Sequence, residues 1–324
     1  GIACGIGDHL HPRGQLCGPA YERIGSIFTR IEALQTWTAD AIALTDTAVV
    51  IDGISAVEVS PTESDAGLGV TRLLEELRCP FVLVSTNPSF DSYDLLILID
   101  PLRFDSALLE KIERHLKRGG AVLATGAAGL LADSDVFADG WPVEYEGPAD
   151  LDPGFFELCD ASTAGMPDMP ITINSTMVRV KPRDAAVCVA QLIQPYFNRH
   201  WDGFHGHVYM PPDKATGCAA ATVRGQVAHL AFDVFSDYGR RADPLHRQLV
   251  KVLLSRIAPS PLVIADDLPS YARVTLTEQP SRTIVHVLSY LPERRTAEQD
   301  VVEEPIVLRD VQLSIKVQDV KRVY

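Results

Sequence analysis

The stretch from Phe90 to Gly126 constrains the fold of this chain more than any other part of the sequence. Leu95–Ile99 is a continuous apolar run of strand length, which is typical of a strand buried on both faces of a sheet. Asp105 suits the N-cap of a helix whose apolar side chains fall on one stripe, at Leu108, Leu109, Ile112 and Leu116. Gly119 and Gly120 end that helix, and residues 121–125 form a second apolar run. We therefore expect a βαβ unit with parallel strands and a right-handed crossover.

Similar units lie on either side of this one. Ala48–Ile51 and Phe81–Ser85 have strand length, and a helix predicted from Ser64 to Arg78 separates them, with Leu68, Leu73, Leu74 and Leu77 expected to be buried. Strands that alternate with helices predict a parallel sheet covered on both faces. Further along, the pattern predicts strands at 177–180 and 186–193, a hairpin at 219–223 and 227–231, and a helix at 243–257.

The pattern changes to strands alone after about residue 262. Strands are predicted at 272–277, 283–289, 306–308, 311–317 and 320–323, fewer than the roughly seven of a β-sandwich. These shifts divide the chain into residues 1–40, an α/β domain at 41–261 and a smaller antiparallel β domain at 262–324, which we expect to be truncated. Residues 133–170 are rich in Pro, Gly, Asp and aromatics, and we expect an irregular insertion there.

Charge and composition argue against several kinds of partner. The 29 Lys and Arg against 43 Asp and Glu give a net charge of −14, whereas nucleic acids and anionic membranes attract a basic face. No apolar run reaches the roughly 18–20 residues of a membrane span. The six cysteines are dispersed and form no CxxC pair, so we expect reduced thiols of a cytoplasmic protein, with no structural metal and no other cofactor.

The first forty residues predict a βα unit without partners. A strand at 2–6 and a polar loop precede a helix from about Pro19 to Trp37, whose apolar stripe is Ile24, Ile27, Phe28, Ile31 and Leu34. One βα unit cannot bury itself, so we interpret it as the last strand and helix of a (β/α)8 barrel whose other units are absent. In such barrels the loops that follow the strands carry the chemistry. Here that loop holds candidate sugar ligands, Asp8, His9, His11 and Arg13. Alternatively, Asp8 and Arg13 pair and cap the loop.

A second candidate cluster lies between residues 196 and 212. Asn198, Arg199, His205 and His207 offer planar hydrogen-bonding groups, and Trp201 beside them offers a stacking face, which together suit a carbohydrate subsite. Two alternatives remain. His205 and His207 would share one face of a strand and could hold a metal, although no further ligands are evident. Otherwise the segment is a packed loop whose Asn and Arg side chains bond its backbone.

The chain resembles family 42 β-galactosidases and related glycoside hydrolases in several places. Residues 90–126 match the pattern FDxYDLLILxD…GGxVLxTG of their trimerisation domain. Residues 5–16, GIGDHLHPRGQL, resemble the end of their catalytic barrel, and residues 268–295 resemble their C-terminal β-sandwich. The resemblance implies an α/β fold with a flavodoxin- or class I glutamine-amidotransferase-like sheet. It also implies a carbohydrate substrate (a β-galactoside or an α-L-fucoside) and a homotrimer, for which Trp141, Tyr145, Phe155 and Phe156 are candidate interface anchors. The alternative is a monomer in which these rings pack the insertion onto the sheet.

No catalytic residue is predicted in this chain. A retaining glycosidase uses two carboxylates about 5 Å apart, and Asp8 is the only carboxylate at the predicted barrel end. The turns at 100–102 and 126–129 hold neither Cys nor Ser, which argues against amidotransferase chemistry, and no GxSxG elbow supports a small hydrolase. We expect a non-catalytic part of a glycoside hydrolase that oligomerises and completes the substrate site. The alternative is a separate assembly or sugar-binding module without activity.

Overall fold

A computed structural model of the chain describes residues 4–9, 11–51, 64–160, 165–201, 206, 209–304, 306–317, 320 and 322–323. The helices of these ranges are α1 Gly18–Ala33, α2 Gln35–Thr38, α3 Asp65–Glu76, α4 Ser106–Lys117, α5 Val234–Arg241 and α6 Pro244–Ile257. The strands of the first half are β1 Ile42–Ala43, β2 Thr47–Ile51, β3 Phe81–Ser85, β4 Leu95–Leu98, β5 Ala121–Thr125, β6 Val143–Pro148, β7 Gly154–Leu158, β8 Ile171–Ile173 and β9 Val178–Pro182. The remaining strands are β10 Val187–Pro195, β11 Pro212–Arg224, β12 Val227–Leu230, β13 Val263–Ile264, β14 Ala272–Gln279, β15 Arg282–Ser289, β16 Glu293–Arg294, β17 Asp300–Val301 and β18 Ser314–Ile315.

A nine-stranded mixed sheet organises the α/β region, in the order β3-β2-β4-β5-β12-β11-β10-β7-β8. From β3 to β12 all neighbours are parallel. Numbered along the chain, these strands follow the order 2-1-3-4-5 of flavodoxin-like folds. From β12 onward the neighbours are antiparallel. The expected α/β class and sheet type are therefore confirmed, and an antiparallel extension completes the sheet.

Strand β4 is buried on both faces, as its apolar run predicts. Leu95 and Ile97 belong to an apolar core that also contains side chains of α3 and α6, such as Leu73 and Leu249. Leu96 and Leu98 belong to the opposite core, with side chains of α4 and the buried ring of Trp141. Because consecutive strand residues point to opposite faces, a strand covered on both sides must be apolar at every position.

The helices begin where the sequence supplies capping side chains. Asp105 Oδ1 accepts a hydrogen bond from the backbone N of Leu108 at 2.7 Å, and Asp243 caps α6 in the same way. Helix α5 was missed, although Asp233 precedes it as a cap. The expected burial of Leu68 is wrong, since this side chain is 41% exposed. The neighbouring Gly69 faces α5 instead, so close that a Cβ would overlap the carbonyl oxygen of Phe235.

The irregular insertion packs its own aromatic residues into the core. Trp141 is fully buried and contacts Phe104 edge to face, with ring centroids 5.3 Å apart. Phe155 and Phe156 lie on β7 and are also buried. The prediction that these three aromatic residues anchor a subunit interface is therefore wrong, because the sheet of their own chain already covers them. Tyr145 is half-buried beside Phe137.

The N-terminal segment departs from two expectations. Residues 4–9, the described part of the predicted strand and its loop, form no regular secondary structure, and no strand of the described ranges pairs with them. Helix α1 begins near Pro19 as predicted but ends at Ala33, and α2 follows as a separate helix. None of the residues of α1 is buried; Ile27 and Phe28 are exposed, and so is its C-cap residue Leu34. The stripe therefore exists in the helix, but no other described element covers it.

The C-terminal β region has its own small core and includes a strand from the other end of the chain. β1 pairs with β14, which pairs with β15, so the sheet joins residue 42 to residue 278. Gln279 donates to the carbonyl oxygen of Ala39 at 2.6 Å, and the Arg282 guanidinium lies 4.5 Å from the centre of the Trp37 ring. Of the three last predicted strands, the described residues form only β18, because the others find no pairing partner.

Substitutions in β4 test this arrangement. Leu96→Ala and Ile97→Ala each remove buried methyl groups from one of the two cores, and we expect each to lower the free energy of unfolding by about 2–5 kcal/mol. Leu68→Ala, at an exposed position of α3, is the matched control and should cost less than about 1 kcal/mol. Denaturant titration measures all three. Equal losses at the three positions would contradict the burial of β4.

Candidate functional site

The predicted sugar ligands of the N-terminal loop lie together on the surface. Asp8, His9, His11 and Arg13 are all exposed. The Nδ1 of His11 accepts a hydrogen bond from the backbone N of Arg13 at 3.2 Å, which shapes a tight turn. Asp8 does not pair with Arg13, contrary to the capping alternative. It faces Tyr21, whose pKa is raised by desolvation and by the Asp8 carboxylate. The loop thus presents a carboxylate, imidazoles and a guanidinium to solvent.

Two members of the second cluster hold a loop together. Asn198 Oδ1 accepts from the backbone N of Asp152 at 3.1 Å, and its Nδ2 donates to the carbonyl oxygen of Asp150 at 2.9 Å. The Arg199 guanidinium lies 3.8 Å from the Asp152 carboxylate. These contacts match the packed-loop alternative, with side chains bonding nearby backbone. His205 and His207 lie outside the described residues.

Aromatic rings beside this loop are strongly exposed. Tyr196, Trp201 and Tyr209 are each 72–73% accessible, although large rings of this kind are usually well covered. Within the described ranges, no hydrogen bond or ion pair joins Asn198 or Arg199 to the four residues of the N-terminal loop. Among the described residues, the two predicted clusters are therefore not joined by polar contacts.

The carboxyl edge of the sheet, meaning the residues that follow β4, β5 and β12, holds polar groups that the sequence reading did not select. Asp100 follows β4, and its Oδ1 accepts a hydrogen bond from the backbone N of Ala127 at 2.6 Å. Burial raises the pKa of Asp100, and the nearby Asp233 carboxylate raises it further. Burial also raises the pKa of Asp233. A polar residue placed directly after a buried apolar strand was the available sequence signal for both.

This edge cannot support the nucleophilic chemistry of a strand-to-helix elbow. Gly126 lies at the turn after β5 with φ +56°, a conformation that suits glycine. An elbow nucleophile needs a side chain at such a turn. A Cβ on Gly126 would overlap the carboxyl group of Asp100, which fills that space. The turn after β5 therefore has no room for an elbow nucleophile.

His229, on the neighbouring strand β12, contacts the turn at Gly126. Its Nε2 lies 2.9 Å from the carbonyl oxygen of Gly126, and its ring packs edge to face on Phe137 with centroids 5.0 Å apart. The side chain is fully buried, and Nδ1 has no hydrogen-bond partner. Burial lowers the pKa of His229 to about 4, so the ring is neutral and donates from Nε2 at neutral pH.

A cavity of about 590 Å³ lies at the opposite edge of the sheet, where the parallel strands begin. Asp94 and Lys316 face it with their charged groups 3.4 Å apart, and Lys251 pairs with Asp266 at 2.8 Å. Burial raises the pKa of Asp46 on the same wall. Flavodoxin-like sheets bind their ligands at the other edge, and the paired charges here join the α/β region to the C-terminal β region.

The geometry of the described residues supports neither a metal site nor a membrane-spanning helix. No group of three or more His, Cys, Asp or Glu side chains in the described ranges is placed to hold a metal ion. His205 and His207, the two histidines of the metal alternative, lie outside the described residues. Of the described helices, none has both the length and the apolar character needed to cross a membrane.

Comparisons with known proteins agree with the resemblance seen in the sequence. An α-L-fucosidase, isoenzyme 2 from Paenibacillus thiaminolyticus, aligns with 98% of this chain at 27% identity and a TM-score of 0.87. A β-galactosidase from Bacillus circulans sp. alkalophilus aligns with 94% at 13% identity and a TM-score of 0.61. A family 42 β-galactosidase from G. stearothermophilus aligns with 86% at 12% identity and a TM-score of 0.60.

The chain spans only part of each of these proteins, namely 49% of the fucosidase, 46% of the Bacillus enzyme and 39% of the family 42 enzyme. No protein-family model matches the sequence, and a search of curated proteins gives no match. The chain is therefore structurally similar to part of known glycoside hydrolases. Among the three, the fucosidase shares the most sequence and structure with it.

The pH dependence of stability tests the role of His229. The unfolded chain takes up a proton on this histidine below about pH 6.5, whereas the folded protein resists protonation until about pH 4. Stability is therefore lost as the pH falls through this window. Between pH 7 and 4.5 we expect the wild type to lose about 2–3 kcal/mol more than His229→Gln.

Denaturant titrations at the two pH values measure this difference. The raised pKa values of Asp100 and Asp233 act in the opposite direction, but they are common to both proteins and cancel. His9→Gln, at an exposed histidine, is the matched control and should behave as the wild type does. The same pH dependence in wild type and His229→Gln would contradict the assignment.

Proposed function

We propose that this chain is the non-catalytic C-terminal part of a glycoside hydrolase, where it supports assembly and completes the substrate site. One observation carries the proposal: almost the whole chain superposes on half of an α-L-fucosidase with a TM-score of 0.87. The turn at Gly126, where Asp100 excludes a nucleophile, agrees with a role outside the chemical step. A separate assembly or sugar-binding module is the alternative, and the experiments below distinguish the two.

The exposed apolar stripe of α1 supports the proposal that another part of the protein packs on this helix. Ile27 and Phe28 lie on the apolar face of α1, Leu34 follows as its C-cap residue, and all three are exposed. Burying such side chains contributes roughly 1.5–3 kcal/mol each. We propose that the occupant of this face is a (β/α)8 barrel of the same polypeptide, with α1 as its last helix.

The proposed substrate is an α-L-fucoside, with a β-galactoside as the second choice. The fucosidase shares 27% identity with this chain, against 12–13% for the two β-galactosidases. Asp8, His9, His11 and Arg13 would bind sugar hydroxyls from the end of the barrel. A cytoplasmic location also stays a prediction, supported by the dispersed cysteines.

Activity measurements test the proposal that the barrel is catalytic and that this chain is not. The chain alone should not hydrolyse nitrophenyl α-L-fucoside or β-galactoside, because retaining hydrolysis needs a pair of carboxylates about 5 Å apart. A longer protein that includes the proposed barrel should be active. In that protein, Asp8→Asn should lower kcat/KM about 10- to 100-fold, the cost of one hydrogen bond from a charged group.

Asp139→Asn provides the matched control, because Asp139 is also exposed but lies in the insertion. It should leave kcat/KM unchanged. Turnover by the chain alone that is abolished by Asp8→Asn would overturn the non-catalytic assignment. An inactive longer protein would favour the separate module.

We further propose that the chain self-associates, with a trimer as the expected state. A stable interface buries about 1,200 Å² or more in total and is usually anchored by aromatic residues. The buried rings of the insertion cannot serve, but Tyr196, Trp201 and Tyr209 offer three large exposed side chains between β10 and β11. Apolar contact there would offset the repulsion of chains that each carry a net charge of −14.

Light scattering across a concentration series measures the association. We expect a mass near three chains, and Trp201→Ala should shift the equilibrium toward the monomer because it removes an interface anchor. Trp37→Ala is the matched control, since Trp37 is exposed but lies at the end of α2. A mass near one chain at all concentrations would reject self-association. A larger shift with Trp37→Ala would place the contact on the N-terminal helices instead.

A further inference from the structure

Two cysteines from different strands meet at the surface of the sheet. Cys159 directly follows β7, and Cys188 is the second residue of β10, the strand beside it. The backbone N of Cys159 donates to the carbonyl oxygen of Val189 at 3.0 Å, which fixes the two chain segments side by side. The two Sγ atoms lie 3.4 Å apart.

This pair differs from the other thiols of the chain. All six cysteines are described, and no other two have their Sγ atoms within hydrogen-bonding distance of each other. Cys4 and Cys17 are exposed near the N-terminus, whereas Cys218 is buried. Burial raises the pKa of Cys79 to about 11, which keeps that thiol protonated and unreactive at neutral pH.

A reagent can reach the pair from solvent. Cys159 is exposed and Cys188 is half-buried behind it. A surface cavity of about 190 Å³ is lined by both cysteines together with Asp160 and Arg256. The exposed Arg256 offers a positive charge to the carboxylates of a small anionic disulfide such as oxidised glutathione.

We propose that Cys159 and Cys188 form a redox modification site, at which a low-molecular-weight disulfide converts the two thiols to an intramolecular disulfide. The Cys159 thiolate attacks the small disulfide, forms a mixed disulfide and releases one thiol of the reagent. The Cys188 thiolate then attacks the Sγ of Cys159 and releases the second thiol. Two protein thiols are oxidised, one small disulfide is reduced to two thiols, and the protons of the two cysteines pass to the released thiolates.

The geometry of the pair and the burial of Cys188 set the order of these steps. A disulfide places its sulfur atoms roughly 2.0 Å apart, so the second step needs only a short approach of the two Sγ atoms, which lie 3.4 Å apart. Burial raises the pKa of Cys188 to about 12, and Cys159 adds to that shift. Attack therefore begins at the exposed Cys159. Once Cys159 carries the mixed disulfide, the Sγ of Cys188 is the adjacent thiol, and Cys188 completes the exchange.

Mass spectrometry of the folded chain tests the proposal. The protein is incubated at pH 8.5 with oxidised glutathione, free thiols are alkylated, and the protein is digested with trypsin. We expect a disulfide-linked pair of peptides, residues 119–179 and 184–199, because trypsin cleaves between the two cysteines. The pair should disappear with a reductant, with Cys159→Ser and with Cys188→Ser. Cys79 and Cys218 should remain free in the same digest.

Two outcomes would overturn the inference. One is a persistent glutathione adduct on Cys159 with Cys188 still alkylated as a free thiol. The other is the absence of any modification at Cys159 while Cys4 and Cys17 react.

The melting temperature provides a second readout: oxidation should raise the melting temperature of the wild type by linking β7 to β10. It should leave the melting temperature of Cys188→Ser unchanged, and an equal rise in both proteins would also count against the linkage.

Discussion

The burial of the parallel strands on both faces is the constraint on which the rest of this structure depends. Leu95–Leu98 point alternately into two separate apolar cores, so helices must cover the sheet on each side. The sheet can then grow only at its ends. β12 provides that continuation, because it pairs in parallel with β5 and antiparallel with β11. The antiparallel strands and the insertion are thereby fixed to the parallel half of the sheet.

The same constraint explains which parts of the fold could be predicted. A strand buried on both faces is apolar at every position, so the boundaries of β5 agree with the sequence pattern. Caps such as Asp105 and Asp243 gave the helix starts. Helix α5 was missed because it is short and carries Asp237 and Tyr238 on its buried side. The exposure of Leu68 followed from Gly69, whose close approach to α5 has no sequence signature of its own.

The candidate site was predicted less completely, for physical reasons. The residues chosen from the sequence were polar side chains in loops, and composition alone cannot separate a side chain that binds a ligand from one that ties a loop. Asn198 illustrates this, since both ends of its amide bond the backbone near Asp150 and Asp152. Conversely, the buried His229 was passed over because it lies inside an apolar strand, where its partner, the Gly126 carbonyl, comes from a distant part of the sequence.

The pairing of β1 with β14 has a consequence for the order in which this chain folds during its synthesis. Gln279 and Arg282 hold the backbone around Ala39, across about 240 residues of sequence. These contacts cannot form until the hairpin of β14 and β15 has left the ribosome, because folding proceeds from the N-terminus as the chain emerges. Helix α2 must therefore wait, without its final support, while the whole nine-stranded sheet is made. The ribosome thus completes the α/β region before the last hairpin can fasten the beginning of the chain to it.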